Sequence, residues 1–138
     1  MADATQKMIQ FELVSPERRL VSEPVTMAVI PGTEGQIGVL AGHSALVASL
    51  KVGVVELHVE GQDVRRIFIA GGFADVTQEQ CTVLAEEAIN ISDLDQEALT
   101  QKAADLSEDL GLAKEAVDKA RVLKHLTLVN AKLEAIAA

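Results

Sequence analysis

Two adjacent acids, Glu86 and Glu87, three histidines, His43, His58 and His125, and one cysteine, Cys81, are the side chains of this sequence best suited to move a proton, hold a metal or attack a carbonyl. General acid–base work needs two titratable groups on one surface. Successive strand residues point to opposite faces, so Glu86-Glu87 reads as a charged strand exit rather than a catalytic dyad. The histidines show no ligand spacing and Cys81 has neither Cys nor His beside it, so no metal site is expected. No nucleophile, base and orienting group can be placed together, which makes an enzyme the weakest reading of the chain.

Glycines offer more. Gly32, Gly35 and Gly38 recur every third residue in Pro31-Gly32-Thr33-Glu34-Gly35-Gln36-Ile37-Gly38, and the run ends on Gly42-His43. A phosphate-cradling loop needs a lysine followed by Ser or Thr, and these glycines have neither. Their role is turn geometry: a tight corner between strands, shaped for docking. His43 is then either a turn histidine satisfying loop carbonyls or a contact residue. Gly71-Gly72-Phe73 reads first as a β-bulge, and second as a contact surface on which Phe73 is exposed.

The elements that must carry these residues change character along the chain. From Met8 to about Ala88 apolar residues alternate with polar ones, as in Ile9, Phe11 and Leu13 or Val55, Leu57 and Val59, the period of half-buried strands. Turn chemistry falls at Ser15-Pro16-Glu17, Ser22-Glu23-Pro24, Pro31-Gly32, Gly42-His43, Gly61-Gln62-Asp63 and Gly71-Gly72. This spacing predicts an antiparallel β-sandwich or barrel over residues 1–88. Cys81, Phe11 and Phe68 sit in apolar runs and are expected in its core.

Over residues 89–138 the period becomes helical. Ser92 followed by Asp95 reads as a cap, Leu99, Ala103, Leu106 and Leu110 share a face, and Gly111 suits a helix end. A second helix beginning near Leu112 or Ala113 should fold back as an antiparallel hairpin, making the chain α+β. That helix carries one apolar stripe at Ala116, Ala120 and Leu123 and another at Val122, Leu126, Val129, Leu133 and Ile136, so two partners are needed. Lys114, Arg121, Lys124 and Lys132 form a basic face, set against six acids on the first helix and Lys102. Those charges read either as a solvated face or as weak opposite fields that hold the hairpin closed.

Composition limits the partners. With 21 acids against 12 bases the net charge is −9, which repels polyphosphates and anionic lipid, and three Phe with no Trp or Tyr leave little to stack on bases. Nucleic acid is not expected as a partner. A lone cysteine fits a reducing compartment, and no apolar run has the length of a signal peptide or a membrane span, so a non-exported chain is expected.

Leu13-Val14-Ser15-Pro16-Glu17-Arg18-Arg19-Leu20, the glycine string from Val29 to Leu46, and Gly71-Gly72-Phe73-Ala74-Asp75-Val76-Thr77 together resemble the ε subunits of bacterial F-type ATP synthases over nearly the whole chain. Ala41 stands where that family usually has proline, and Gln36 where an acid is often found. The resemblance implies a non-catalytic rotor subunit, without cofactor, on the cytoplasmic face of the bacterial inner membrane. It implies that Gly32, Glu34, Gly35, Gln36, Gly38, Gly42 and His43 meet the γ subunit or the c ring, passing torque from proton flow. It also implies that Lys114, Arg121 and Lys124 contact an acidic segment of the β subunit and restrain ATP hydrolysis. Some members bind ATP at the start of the first helix. Here Leu94-Asp95-Gln96-Glu97-Ala98-Leu99 keeps Asp95 but has Ala98 in place of the phosphate-facing arginine, so weak or absent nucleotide binding is expected. The alternative from another class is a small β-sandwich ligand-binding or regulatory module that dimerises through the Val122 to Ile136 stripe.

Overall fold

The computed structural model describes residues 7–138, so the reading of residues 1–6 as lacking an export signal lies outside the described residues. Two compact units divide the chain, one ending at Asn90 and the other running from Ile91 to Ala138.

The first unit is a β-sandwich of eight strands, β1 (Ile9–Val14), β2 (Arg19–Val25), β3 (Met27–Gly32), β4 (Gly35–Val39), β5 (Leu46–His58), β6 (Arg65–Val76), β7 (Gln80–Ala85) and β8 (Ala88–Asn90). They run in the order β2-β1-β7-β6-β5-β3-β4, with β8 against β6. Alternation works as the sequence indicates: Ile9, Phe11 and Leu13 are fully buried while Gln10 and Glu12 between them, and Val14 after them, are not. Eighteen buried residues, among them Ile30, Val55, Ile67, Val76 and Val83, form one apolar cluster. Cys81 and Phe11 belong to it. Phe68 is equally buried but stands outside that cluster, on the opposite face of β6 from Ile67 and Ile69.

Where the structure departs from the sequence reading, local chemistry explains why. Ser22-Glu23-Pro24 is not a turn but part of β2, with Pro24 opposite Gln10. Strand β2 ends the sheet, and an edge strand tolerates a residue without an N–H. Pro31-Gly32 likewise closes β3 rather than interrupting it. One ladder, β1 with β7, is parallel, while the other pairings along the seven-strand path are antiparallel. The two strands are far apart in sequence, so the whole intervening sandwich supplies the crossover that a neighbouring parallel pair would need.

The two longest strands, β5 and β6, are neighbours at the middle of the sheet path. Gly71 and Gly72 lie inside β6 with φ of 106° and 145°, not in a turn between strands. Before them β6 pairs with β8, Ile69 opposite Ala88, and after them with β7, Gly72 opposite Ala85. Glu86 and Glu87 fill the gap between β7 and β8: the Glu86 N–H donates to Gly71 O and the Ala70 N–H to Glu87 O, each at 3.0 Å. β7 and β8 therefore follow each other along one side of β6 with a kink between them, and the kink is set at Gly72. A Cβ there would run into the Leu84 carbonyl oxygen and lie 2.9 Å from Ala85 Cα.

In the second unit a short 3-10 turn, Ile91–Asp93, precedes α1 (Gln96–Leu112) and α2 (Ala116–Ala137), which pack on each other as a helical hairpin. The cap of α1 is Asp95, not Ser92: its side chain accepts from the Ala98 N–H at 3.2 Å. Gly111 is inside the last turn of α1 rather than past its end, and α2 starts later than the periodicity indicates. Leu106, Val129 and Ala135 are buried, and Leu99, Ala103 and Leu110 are half-buried.

Candidate functional site

The glycine string folds as the β3–β4 hairpin. Gly32 pairs with Gly35 across Thr33 and Glu34, and neither of these two has a positive φ. The turn is thus not of the primed kind that usually closes so short a loop, and Gly35, at φ 141°, takes up the reversal that a side chain would resist. Gly32 is buried beneath the turn, whereas Thr33, Glu34, Gly35, Gln36 and Gly38 are exposed. With Leu46 to Ser49 of β5 the hairpin walls an open cleft of about 370 Å³.

Gly42 and His43 form a separate corner after β4. The Gly42 N–H donates to Gln78 O at 2.8 Å, which ties this corner to the β6–β7 turn, and the His43 N–H donates to Leu40 O at 3.1 Å. His43 Nδ1 lies 2.7 Å from the Ser44 carbonyl oxygen. A carbonyl only accepts, so Nδ1 carries the proton and Nε2 is left for another group.

An apolar surface beside this hairpin was not read from the sequence as a whole. Val47, Phe73 and Leu84 are 74%, 58% and 54% exposed, although each belongs to a strand. Phe73 is opposite Ser49 on one side and Leu84 on the other, and Leu84 is in turn opposite Val14. These outward positions form a row across four strands, with a shallow groove of about 280 Å³ along Val14, Pro16, Phe73 and Leu84. The groove and the glycine cleft approach each other on β5, where Val47 and Ser49 line the cleft and Ser49 faces Phe73. The signal was present in β7: Cys81, Val83 and Ala85 point inward, so Leu84 between them must point out.

The groups considered for chemistry are spread apart. Glu86 and Glu87 occupy the kink between β7 and β8. His58 Nε2 is 3.3 Å from Glu56 Oε1, its neighbour two residues back on β5, and His125 is exposed on α2. Cys81 is fully buried, and that burial, helped by the negative charge of Asp75, pushes its thiol from 9.0 up to about 11. Among the described residues no three His, Cys, Asp or Glu side chains converge as a metal site would require.

On the helices, Lys114 is not part of the basic helix face: it lies in the connection between α1 and α2. Arg121 and Lys124 are exposed on α2, and Arg121 Nη2 is paired with Asp118 Oδ1 of the same helix at 3.4 Å rather than with the acids of α1. Val129 in the Val122 to Ile136 stripe is buried and its other members half-buried, so that stripe is not open surface for a second copy. The stripe left open is Ala116, Ala120 and Leu123, with Leu112 and Val117 beside it at 71% and 77% exposure. Asp95, the aspartate that the nucleotide motif retains, is occupied by capping. No helix is long and apolar enough to cross a membrane among the described residues.

Comparison with known proteins gives this architecture its relatives. Residues 8–91 match the family model for the β-sandwich domain of the ATP synthase delta/epsilon chain. The ATP synthase epsilon chain of Rhodospirillum centenum is 44% identical over 134 residues, covering 94% of this chain and 92% of that one. The epsilon chain of Rhodospirillum rubrum is 42% identical, covering 98% of both. Among solved structures, a chain of the Euglena gracilis mitochondrial ATP synthase, described as OSCP/F1/c-ring, superposes with a TM-score of 0.80 at 26% identity over all of this chain and 87% of its own length. A chain from the central stalk and c ring of the Tetrahymena thermophila enzyme shares the fold, with a TM-score of 0.62 at 11% identity, over 96% of this chain and 99% of its own. By its sandwich, its hairpin and its full-length relatives, the chain belongs to the ATP synthase epsilon-chain family.

Proposed function

We propose that the chain is a non-catalytic coupling subunit of the central rotor of an F-type ATP synthase, peripheral to the cytoplasmic face of a bacterial inner membrane. The sandwich joins the γ subunit to the c ring, so that torque from proton flow reaches the catalytic β subunits without slip. The observation that carries this reading is the exposed row at Phe73 and Leu84 beside the glycine hairpin. Exposing three large apolar side chains on folded strands is costly in water and is relieved when a protein partner covers them. We assign that face to γ. The exposed residues of the hairpin and corner, Glu34, Gly35, Gln36, Gly38 and Gly42, together with half-buried His43, make polar contacts with the c ring or the adjoining part of γ. Gly32, which is buried, shapes the turn.

The hairpin serves as a restraint on hydrolysis. Its open stripe at Ala116, Ala120 and Leu123 adjoins exposed Arg121 and Lys124, with Lys114 at the loop, a combination suited to an acidic helical segment of the β subunit.

Reconstituting the complex with and without this chain tests the whole reading. Proton-driven synthesis is expected to fall and uncoupled hydrolysis to rise in its absence; full coupling without it refutes the assignment. Phe73→Asp separates out the γ face: copurification with γ should weaken at least about 10-fold, the scale of losing an aromatic anchor at an interface, while the isolated chain stays folded because Phe73 is solvent-exposed.

A further inference from the structure

The last strand of the sandwich, β8, has three residues, and among the described residues it pairs with β6 alone, at Ile67, Phe68 and Ile69. None of the three is buried. So short a strand, paired on one side, is held by its three-residue ladder to β6 and by Ala88 against the core, a small hold compared with that of the longer strands. One side chain adds to that hold. Arg65, at the start of β6, donates from Nε to Asn90 Oδ1 and from Nη1 to Glu23 Oε1 on β2, each at 3.3 Å. Its guanidinium fork therefore spans from the final residue of β8 to β2, the strand at one end of the sheet path. Asn90 is also the last residue of the first compact unit, and Ile91 opens the second.

We propose that Arg65 is the latch of a releasable strap. While the guanidinium holds Asn90 and Glu23, β8 stays on β6; when it lets go, β8 peels away and its three residues join the tether in front of the helices. Extended backbone covers about 3.3 Å per residue, so release lengthens that tether by about 10 Å. The pairing is of a releasable kind because the Arg65 and Glu23 side chains are 40% and 43% exposed, and water competes for both. The latch belongs to the sandwich's own last strand and stands independently of the partners assigned above.

Hydrogen exchange of the full chain, read residue by residue by NMR, tests it. Arg65→Ala is expected to speed exchange of the β8 amides about 5-fold, the scale of two weak charge-assisted contacts, and to leave β1 and β5 within about 2-fold. Arg65→Lys keeps the charge but has no fork to reach both acceptors, and its effect should fall between. Glu23→Gln, which keeps Asn90 bound, should also fall between. Unchanged β8 exchange in Arg65→Ala overturns the latch. A rise shared by every strand, or failure to fold, overturns it as well, because Arg65 would then be a general brace.

Discussion

Replacing Gly72 by alanine puts the close approach of β7 to β6 to a quantitative test. The site combines a φ of 145°, which L side chains rarely adopt, with backbone of β7 so close that the new methyl would collide with Leu84 O and sit 2.9 Å from Ala85 Cα. Backbone strain of this kind costs about 1–2 kcal/mol. Because the obstacles are backbone atoms and not the end of a flexible side chain, β6 and β7 must also separate, an overpacking cost of about 1–3 kcal/mol. The sum, about 2–5 kcal/mol, is a large part of the roughly 5–15 kcal/mol that holds a domain folded. Gly61→Ala is the internal reference: Gly61 has a φ of 81° but nothing within 4 Å of an added methyl, so only the strain applies there. In urea unfolding followed by the strand signal of circular dichroism, Gly72→Ala should lower the midpoint by about 2 M and Gly61→Ala by less than about 1 M. Equal midpoints for the two variants would refute the argument, since the excess loss at Gly72 comes entirely from the approach of β7.

Three further outcomes follow from the structure. Cys81 should resist thiol reagents in the folded chain at neutral pH. Because its pKa is raised on folding from 9.0 to about 11, stability should be fully present below pH about 9 and fall by roughly 2–3 kcal/mol as pH rises toward 11, a loss that Cys81→Ala removes from the pH profile of urea midpoints. Ending the chain after Asn90 keeps β8 and should leave assembly intact while ATP hydrolysis rises, whereas ending it after Ala88 also cuts β8 and should lower the melting temperature of the sandwich; hydrolysis unchanged by the first truncation would remove the hairpin from regulation. Asp95→Ala should weaken α1 by about 1 kcal/mol, read as lost helical ellipticity, and leave the response to added ATP in calorimetry as it was, since this carboxylate is spent on the Ala98 N–H.

The strands and their inward faces were legible because one physical rule, alternation, decides both: Ile9, Phe11 and Leu13 had to share a face and do. Pro24 misled because proline punctuates interior chain but is harmless at an edge, and which strand forms the edge is a property of the whole sheet. The parallel β1–β7 pair was invisible for the same reason, since turn signals describe only neighbours in sequence. On α1 the sequence reading put the cap at Ser92 with Asp95 as the acid after it, but the 3-10 turn takes up Ser92 and Asp95 itself becomes the cap. Moving the start of α2 to Ala116 then displaced Lys114 from the helix on which the charge pattern had put it. The glycine corner was legible as turn chemistry, but the apolar row was not, because Phe73 and Leu84 are ordinary strand residues until the pairing of β6 with β7 sets them side by side on the solvent face.

The distribution of burial fits a division between a part that transmits force and a part that yields. The coupling role proposed above requires a piece that does not deform under load, and the sandwich has eighteen buried side chains in one cluster and, among the described residues, no buried polar or charged residue whose partner could be lost. In the helical unit only Leu106, Val129 and Ala135 reach burial, while Leu112, Val117 and Leu123 remain exposed. Cooperative stability follows buried apolar contact, so the hairpin opens at a lower free energy than the sandwich does. The restraint proposed for the hairpin requires it to move without unfolding the sandwich, and its sparse buried contact, with an apolar face left unfilled, agrees with that requirement.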